Sequence, residues 1–205
     1  MSINENEIRK ILNDLLEHDS ILPSDIPNIY LYMDQVTTFF DEKLAHFKRN
    51  ESDKIFTKTM INNYTSANIL FPSEKKKYNK HHLTILVWVY YLKQILSIND
   101  IHKLLSPITD NINSKKNDEL FDINNIYNIF LDLERAELED FKEKFTVRIN
   151  RIDKSLENNS LEDKKKVELI LLVLQLVIQA NIQKTMAEKI IDEFFEDKKE
   201  AKEKH

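Results

Sequence analysis

No glycine occurs anywhere in this chain of 205 residues. Glycine reaches positive φ without steric penalty and lets a backbone approach a phosphate closely. Its absence excludes a dinucleotide-binding G-x-G-x-x-G loop, a Walker phosphate loop, an ordinary EF-hand loop and the nucleophile elbow of an α/β-hydrolase. Turns and helix stops have to be made by other residues, and asparagine is the usual substitute at a left-handed stop. Cysteine is absent too, which removes disulfides, thiolate zinc sites and thiol nucleophiles.

The rest of the composition favours helix. Leu, Ile, Lys and Glu dominate, and the four prolines fall in short windows. Ile8, Ile11, Leu12, Leu15 and Leu16 recur at helical spacing, predicting an amphipathic arm near 4–17. Pro23 and Pro27 then force an extended or turning path. A helix is expected over 33–47, with Val36, Phe39, Phe40, Leu44 and Phe47 on one side, followed by a polar loop at 48–53. The next helix, 57–67, opens on a hydroxyl cap, Thr57 or Thr59, and stops at Asn68. Residues 69–78, bounded by Pro72, fit a small hairpin or wing. An apolar helix carrying Trp88, Tyr90 and Tyr91 is expected over 82–96, and a short one runs from Ser97 to Pro107.

Beyond the polar stretch at 110–117 the texture changes. Ile126, Ile129, Phe130, Leu133, Phe141, Phe145, Ile149, Ile152 and Leu156 mark a long amphipathic helix, 126–156. A turn at 158–160 leads to a second, 161–196, apolar almost all round at 169–174 and therefore expected to be deeply buried. The expected division is a helical arm at 1–23, a domain at 24–109, a linker at 110–120, a two-helix domain at 121–196 and a charged tail at 197–205. Residues 1–22 are polar, so no secretory signal is expected, and 167–180 is too short to span a bilayer. A soluble, cytoplasmic protein is the expectation.

Charge is unevenly spread. Residues 54–103 hold eight lysines against Glu74 and Asp100, a local charge of +6 (8 − 2) in a chain of net −5. A basic window in an acidic chain is an electrostatic footprint for a polyanion. The element order in that window is that of a winged helix-turn-helix.

The residues themselves resemble the MerR family of transcription regulators. Phe56 through Leu70 stands where that family has its second helix, a tyrosine near its end and a Gly-Leu-Leu stop. Lys75-Lys-Lys-Tyr78 and Asn79-Lys-His-His-Leu83 are similar to its wing and the next helix cap. Leu92 through Leu105 resembles the stretch that ends its domain. The span from Leu31 through Leu105 looks more closely like an uncharacterised bacterial family, domain of unknown function eighteen-thirty-six. Three departures stand out: the MerR Arg-Tyr-Tyr is Asn62-Asn63-Tyr64 here, the loop between the first two helices is longer and more charged, and the usual wing glycine is absent.

The resemblance and the charge together imply a mostly helical chain with a minimal β wing, binding double-stranded DNA. Helix 57–67 would enter the major groove, with Asn62 or Asn63 the candidates for base contact, since asparagine can pair bidentately with adenine. Lys58 and the wing lysines Lys75, Lys76 and Lys77 would grip phosphates; Tyr64 and Tyr78 are either partly buried packing residues or phosphate donors, and Thr59 and Lys80 complete the expected DNA-binding set. Long apolar faces imply a homodimer through 121–196, with room for an unidentified small-molecule effector. No catalytic residue, cofactor or metal is expected. His81 and His82 are adjacent on a helix and share no face, and the acidic run Glu134, Glu137, Glu139, Asp140 and Glu143 lacks a facing Glu-x-x-His. The competing reading is a helical interaction or scaffold protein that has lost the DNA contacts. A helical enzyme using the acidic run finds no supporting spacing.

Overall fold

The computed structural model describes residues 5–16, 20–114, 122–157 and 163–195. The expected turn at 158–160, the charged tail and the second half of the linker lie outside them. Among the described residues the chain is mostly helical with a two-stranded antiparallel sheet. In order come α1 (Glu5–Leu16), β1 (Leu31–Tyr32), α2 (Met33–Lys43), α3 (Lys58–Ser66), β2 (Lys77–Tyr78), α4 (Lys80–Leu92), α5 (Ile98–Ser114), α6 (Ile123–Leu156) and α7 (Lys164–Phe194). They form two compact units.

The mixed unit comprises Ile21–Ile129 with the stretch from Met186 onward. Its centre is α4, in which every residue from His82 to Tyr90 is buried. A helix apolar on all sides is a buried one; β2 packs against it, and α2 packs against α3 and both strands. Val36 and Phe40 from α2, Ile61 from α3, and Phe56, Ile69 and Leu70 from the flanking loops are at most 1 % exposed. Each such side chain contributes about 1.5–3 kcal/mol of burial. The helix expected over 33–47 breaks at Leu44, and Ala45–Phe47 continues as a 3-10 turn.

A second departure concerns Pro107. The short helix was expected to end there, but α5 runs on to Ser114 with Pro107 inside it, so the start of the expected linker is helical. A proline N removes the bond to the carbonyl four residues back, here that of Lys103. The Ser106 hydroxyl donates to that carbonyl at 3.0 Å, and the gap is filled locally.

The helical unit comprises Met1–Ser20 and Phe130–Thr185. Leu12 of α1 packs into a core with Phe145, Ile149, Ile152 and Leu156 of α6 and Leu172 of α7. The deep burial expected for 169–174 is not found. Only Leu172 is buried, at 6 % exposure, while Ile170, Val173 and Leu174 are half exposed. α6 and α1 cover one side of α7 and no described element covers the other. By length and composition α7 does contain a window apolar enough to cross a membrane, because Gln175, Gln179, Asn181 and Gln183 break its hydropathy without adding charge.

Candidate nucleic-acid interface

α3 forms because Thr57 caps it, with the Met60 N–H donating to Thr57 Oγ1 at 3.1 Å. Ile61 and Tyr64 point inward, leaving Lys58, Thr59, Asn62 and Asn63 exposed on the other side. The helix ends in a Schellman motif. Asn68 sits at φ 56°, its N–H donates to the Thr65 carbonyl at 3.1 Å, and the Ile69 N–H donates to the Tyr64 carbonyl at 2.9 Å. Asn68 thus stands in the left-handed position where glycine was missing.

The wing is smaller and tighter than a free hairpin. Lys75 and Lys76 lie at φ 50° and 63°, between Glu74 and Lys77, which exchange backbone hydrogen bonds of 3.1 and 2.9 Å. Positive φ at both central residues defines a type I′ turn, normally the place of Asn-Gly. Lys77–Tyr78 then pairs with Leu31–Tyr32, so the wing is anchored to the residues that open α2. The Lys77 ammonium lies 5.1 Å from the centre of the Tyr32 ring. Two residues further on, Asp34 forms an ion pair with Lys58. Tyr32 and Asp34, two residues apart where α2 begins, thus touch the base of the wing and the start of α3 respectively.

The long loop between α2 and α3 is held in place. Asp41 accepts the Ile55 N–H at 3.1 Å and pairs with Lys48 at 3.2 Å and Lys54 at 3.3 Å. Burial pushes its carboxyl up, but the Ile55 bond and the two lysines outweigh this and hold it below the usual carboxylate range. On the far side of the loop, Lys93 bonds the Ile55 carbonyl.

The eight lysines of the basic window fare differently. Lys54, Lys58 and Lys103 pair with Asp41, Asp34 and Asp192, and Lys93 turns inward, where burial pushes its pKa down. Among the described residues, Lys75, Lys76, Lys77 and Lys80 have no acidic partner, and they cluster at the wing and the head of α4. Tyr64 and Tyr78 are each 5 % exposed. Tyr64 packs edge-on against Phe56, with burial pushing its phenol pKa up, and Tyr78 packs against His82. These two phenols lie behind the surface rather than on it.

His82 is 1 % exposed. It belongs to the cap of α4: its N–H donates to Asn79 Oδ1 at 3.2 Å, and the Asn79 N–H reaches its Nδ1 at 3.1 Å. Burial drives its pKa down to about 4, against the pull of the Pro72 and Phe71 carbonyls. Beside the wing, Asn28, Ile29, Tyr30, Asn79, Lys80 and His81 line an open depression of about 220 Å³. Within the helical unit, Phe141, Lys144, Leu176 and Gln179 line a groove of about 370 Å³ between α6 and α7. Among the described residues no group of three or more His, Asp or Glu side chains is placed to hold a metal ion.

Sequence reasoning missed Tyr32, Asp34, Asp41 and Lys93. Each has a partner 14 or more residues away along the chain, up to 45 for Tyr32 and Lys77, and no local pattern announces such pairs.

Fold and surface together define a small, mostly helical protein whose mixed unit carries an exposed short helix and a cationic turn. A family model described as a domain of unknown function (DUF1836) matches residues 21–130, more than half of the chain. The chain belongs to that family. Neither a curated protein nor a solved structure matches it.

Proposed function

We propose that the chain is a DNA-binding transcription regulator built on a MerR-like winged helix-turn-helix and acting as a homodimer through its long helices. The observation that supports this reading is that Tyr32 and Asp34, two residues apart, contact Lys77 of the wing and Lys58 at the start of α3, beside lysines that have no acidic partner among the described residues. Thr59, Asn62 and Asn63 would face base edges, where asparagine pairs with adenine. Lys75 and Lys76 would contact phosphates, which position a protein without reading sequence. Tyr64 and Tyr78 support the surface from beneath. Two such units related by a two-fold axis suit a palindromic site.

The Lys58–Asp34 pair favours the second reading, a scaffold that keeps the fold without the DNA contacts, because it places an acid on the presented side. Fluorescence anisotropy with mixed duplex DNA across a salt series separates the two. The regulator reading expects logarithmic affinity to fall linearly with logarithmic salt, and replacing Lys75, Lys76 and Lys77 by alanine to flatten that slope by about 0.9 per lost contact. Absence of binding at low salt would establish the scaffold.

A further inference from the structure

Beside its core row of Phe145, Ile149, Ile152 and Leu156, α6 carries a row of cations. Lys144, Arg148, Arg151 and Ser155 are spaced four, three and four apart, which puts them on one side of a helix, and Lys154 stands next to the row. Lys144 pairs with Asp140 at 2.6 Å. Among the described residues Arg148, Arg151 and Lys154 have no acidic partner.

Arg148 reaches the seam between α6 and α7, where its Nη2 donates to Gln179 Oε1. Its Nη1 is buried and has no hydrogen-bond partner among the described residues. Neither helix supplies a counter-ion. The positions three and four away on α6 are Lys144, Phe145, Arg151 and Ile152, and α7 has no charged residue between Glu168 and Lys184. A buried donor left without an acceptor is costly, most of all on a charged group, and arginine is seldom buried unless paired. Like charges at these spacings also repel along the helix. The row lines open space: Glu143, Lys144, Val147, Arg148 and Arg151 bound a groove of about 350 Å³. An adjoining one of about 540 Å³ shares Val147 and Arg151 and adds Lys154.

We propose that this groove binds a small phosphate-bearing anion, held by Arg148 and Arg151 with Lys144 and Lys154 at its two ends. A phosphoryl group brings about two negative charges and three strong acceptor oxygens, enough for two guanidinium forks. A lone carboxylate has one charge and leaves an arginine unpaired. In the empty groove Arg148 lies against Gln179, and turning its guanidinium outward gives Nη1 the acceptor it lacks. The bound anion also relieves the repulsion along the row, and Val147, 56 % exposed among the cations, offers apolar surface to the organic part of the ligand. Duplex DNA is the competing source of phosphate and fits less well. Arg148 is set back in the seam, and the exposed acids Glu137, Glu139 and Asp140, within two turns on the same helix, oppose a long polyanion. The inference goes beyond the DNA reading and does not depend on it.

The test uses the full chain with pyrophosphate as the probe. Isothermal titration calorimetry at low salt should show saturable binding. Arg148→Gln and Arg151→Gln should each weaken it about 10-fold or more, the scale of one lost charge-assisted hydrogen bond. Arg151 is exposed, so its variant tests the site even where Arg148→Gln disturbs the helix pair, which far-UV circular dichroism would reveal. Lys142→Gln removes an exposed cation of α6 outside the row and should leave the affinity nearly unchanged. Absence of saturable binding, an equal loss in all three variants, or tighter binding of succinate than of pyrophosphate would each overturn the proposal. So would a DNA salt slope flattened by about 1.8 in the Arg148→Gln, Arg151→Gln double variant, which would reassign both arginines to a nucleic-acid backbone. Site-specific pyrophosphate binding by a chain that fails to bind DNA would support the groove and refute the regulator reading.

Discussion

The ammonium of Lys93 lies 4.6 Å from the centre of the Phe56 ring, and with its bond to the Ile55 carbonyl it fastens the loop that leads into α3. Tyr90 adds a second ring at 5.5 Å. The loop is long and charged, and this fastening adds to the burial of Phe56 and Ile61 and to the bonds of Thr57 and Asp41 in setting the direction of α3. Lys93→Met keeps the aliphatic stem but removes the cation and the donor. Its expected cost is about 1–3 kcal/mol, the sum of a partly desolvated cation–π contact and a lost hydrogen bond from a charged donor. Urea unfolding monitored by Trp88 fluorescence measures it. A midpoint unchanged from the parent chain would show that the loop is held by Asp41 without help.

The turn at Lys75 and Lys76 separates stability from binding. A non-glycine residue in the left-handed region costs about 1–2 kcal/mol, and this turn holds two lysines there. Lys75→Asn with Lys76→Gly installs the preferred type I′ pair. The double variant should be more stable by about 1–2 kcal/mol in denaturant unfolding. Its DNA affinity should fall, with the salt slope flatter by about 1.8, two contacts at 0.9 each. A variant both more stable and unchanged in its salt slope would remove the wing tip from the interface.

His82 sets a pH dependence. Its imidazole stays neutral in the folded chain down to about pH 4, whereas in the unfolded chain it takes up a proton below about pH 6.5. The folded value lies below the unfolded one, so the unfolded state binds more protons between them. Stability from this residue is therefore fully present above about pH 6.5 and is lost as the pH falls to about 4, by about 3 kcal/mol in all. His82→Gln keeps an acceptor for the Asn79 N–H, as in an ordinary capping box, and does not titrate. Thermal unfolding between pH 4 and 7 should show a smaller decline for the variant than for the parent. Equal declines would assign the acid sensitivity to the carboxylates.

What could be read from the sequence depended on the range of the interaction. Thr57 and Asn68 were legible because a cap and a left-handed stop are settled within a few residues, and the lack of glycine left few candidates for each. The two-residue strand Leu31–Tyr32 was not anticipated, since it exists only through pairing with Lys77–Tyr78, and two residues show no periodicity. Pro107 misled because Ser106, its neighbour, supplies the missing donor. The basic window was visible as a count, but its lysines were sorted by acids distant in sequence: Lys103 went to Asp192, and Lys58 to Asp34. At 169–174 an all-round apolar pattern suggested burial, yet it only records that both sides of a helix are apolar. It does not say that one chain covers both.

Asp34 is the acid that the proposed interface would have to tolerate. Its side chain is 75 % exposed and that of Lys58 is 61 % exposed, so the pair contributes between about 0 and 1 kcal/mol to stability. Asp34→Asn should leave the unfolding midpoint nearly unchanged. On DNA its effect should be larger, because the change removes a negative charge facing the phosphates and frees Lys58 to contact one. Affinity at low salt should rise, and the salt slope should steepen by about 0.9 for the added contact. Lys58→Ala in the Asp34→Asn background should cancel that gain, since the lysine is the group released. Affinity unaffected by either change would place the DNA surface away from the start of α3 and confine the contact to the wing.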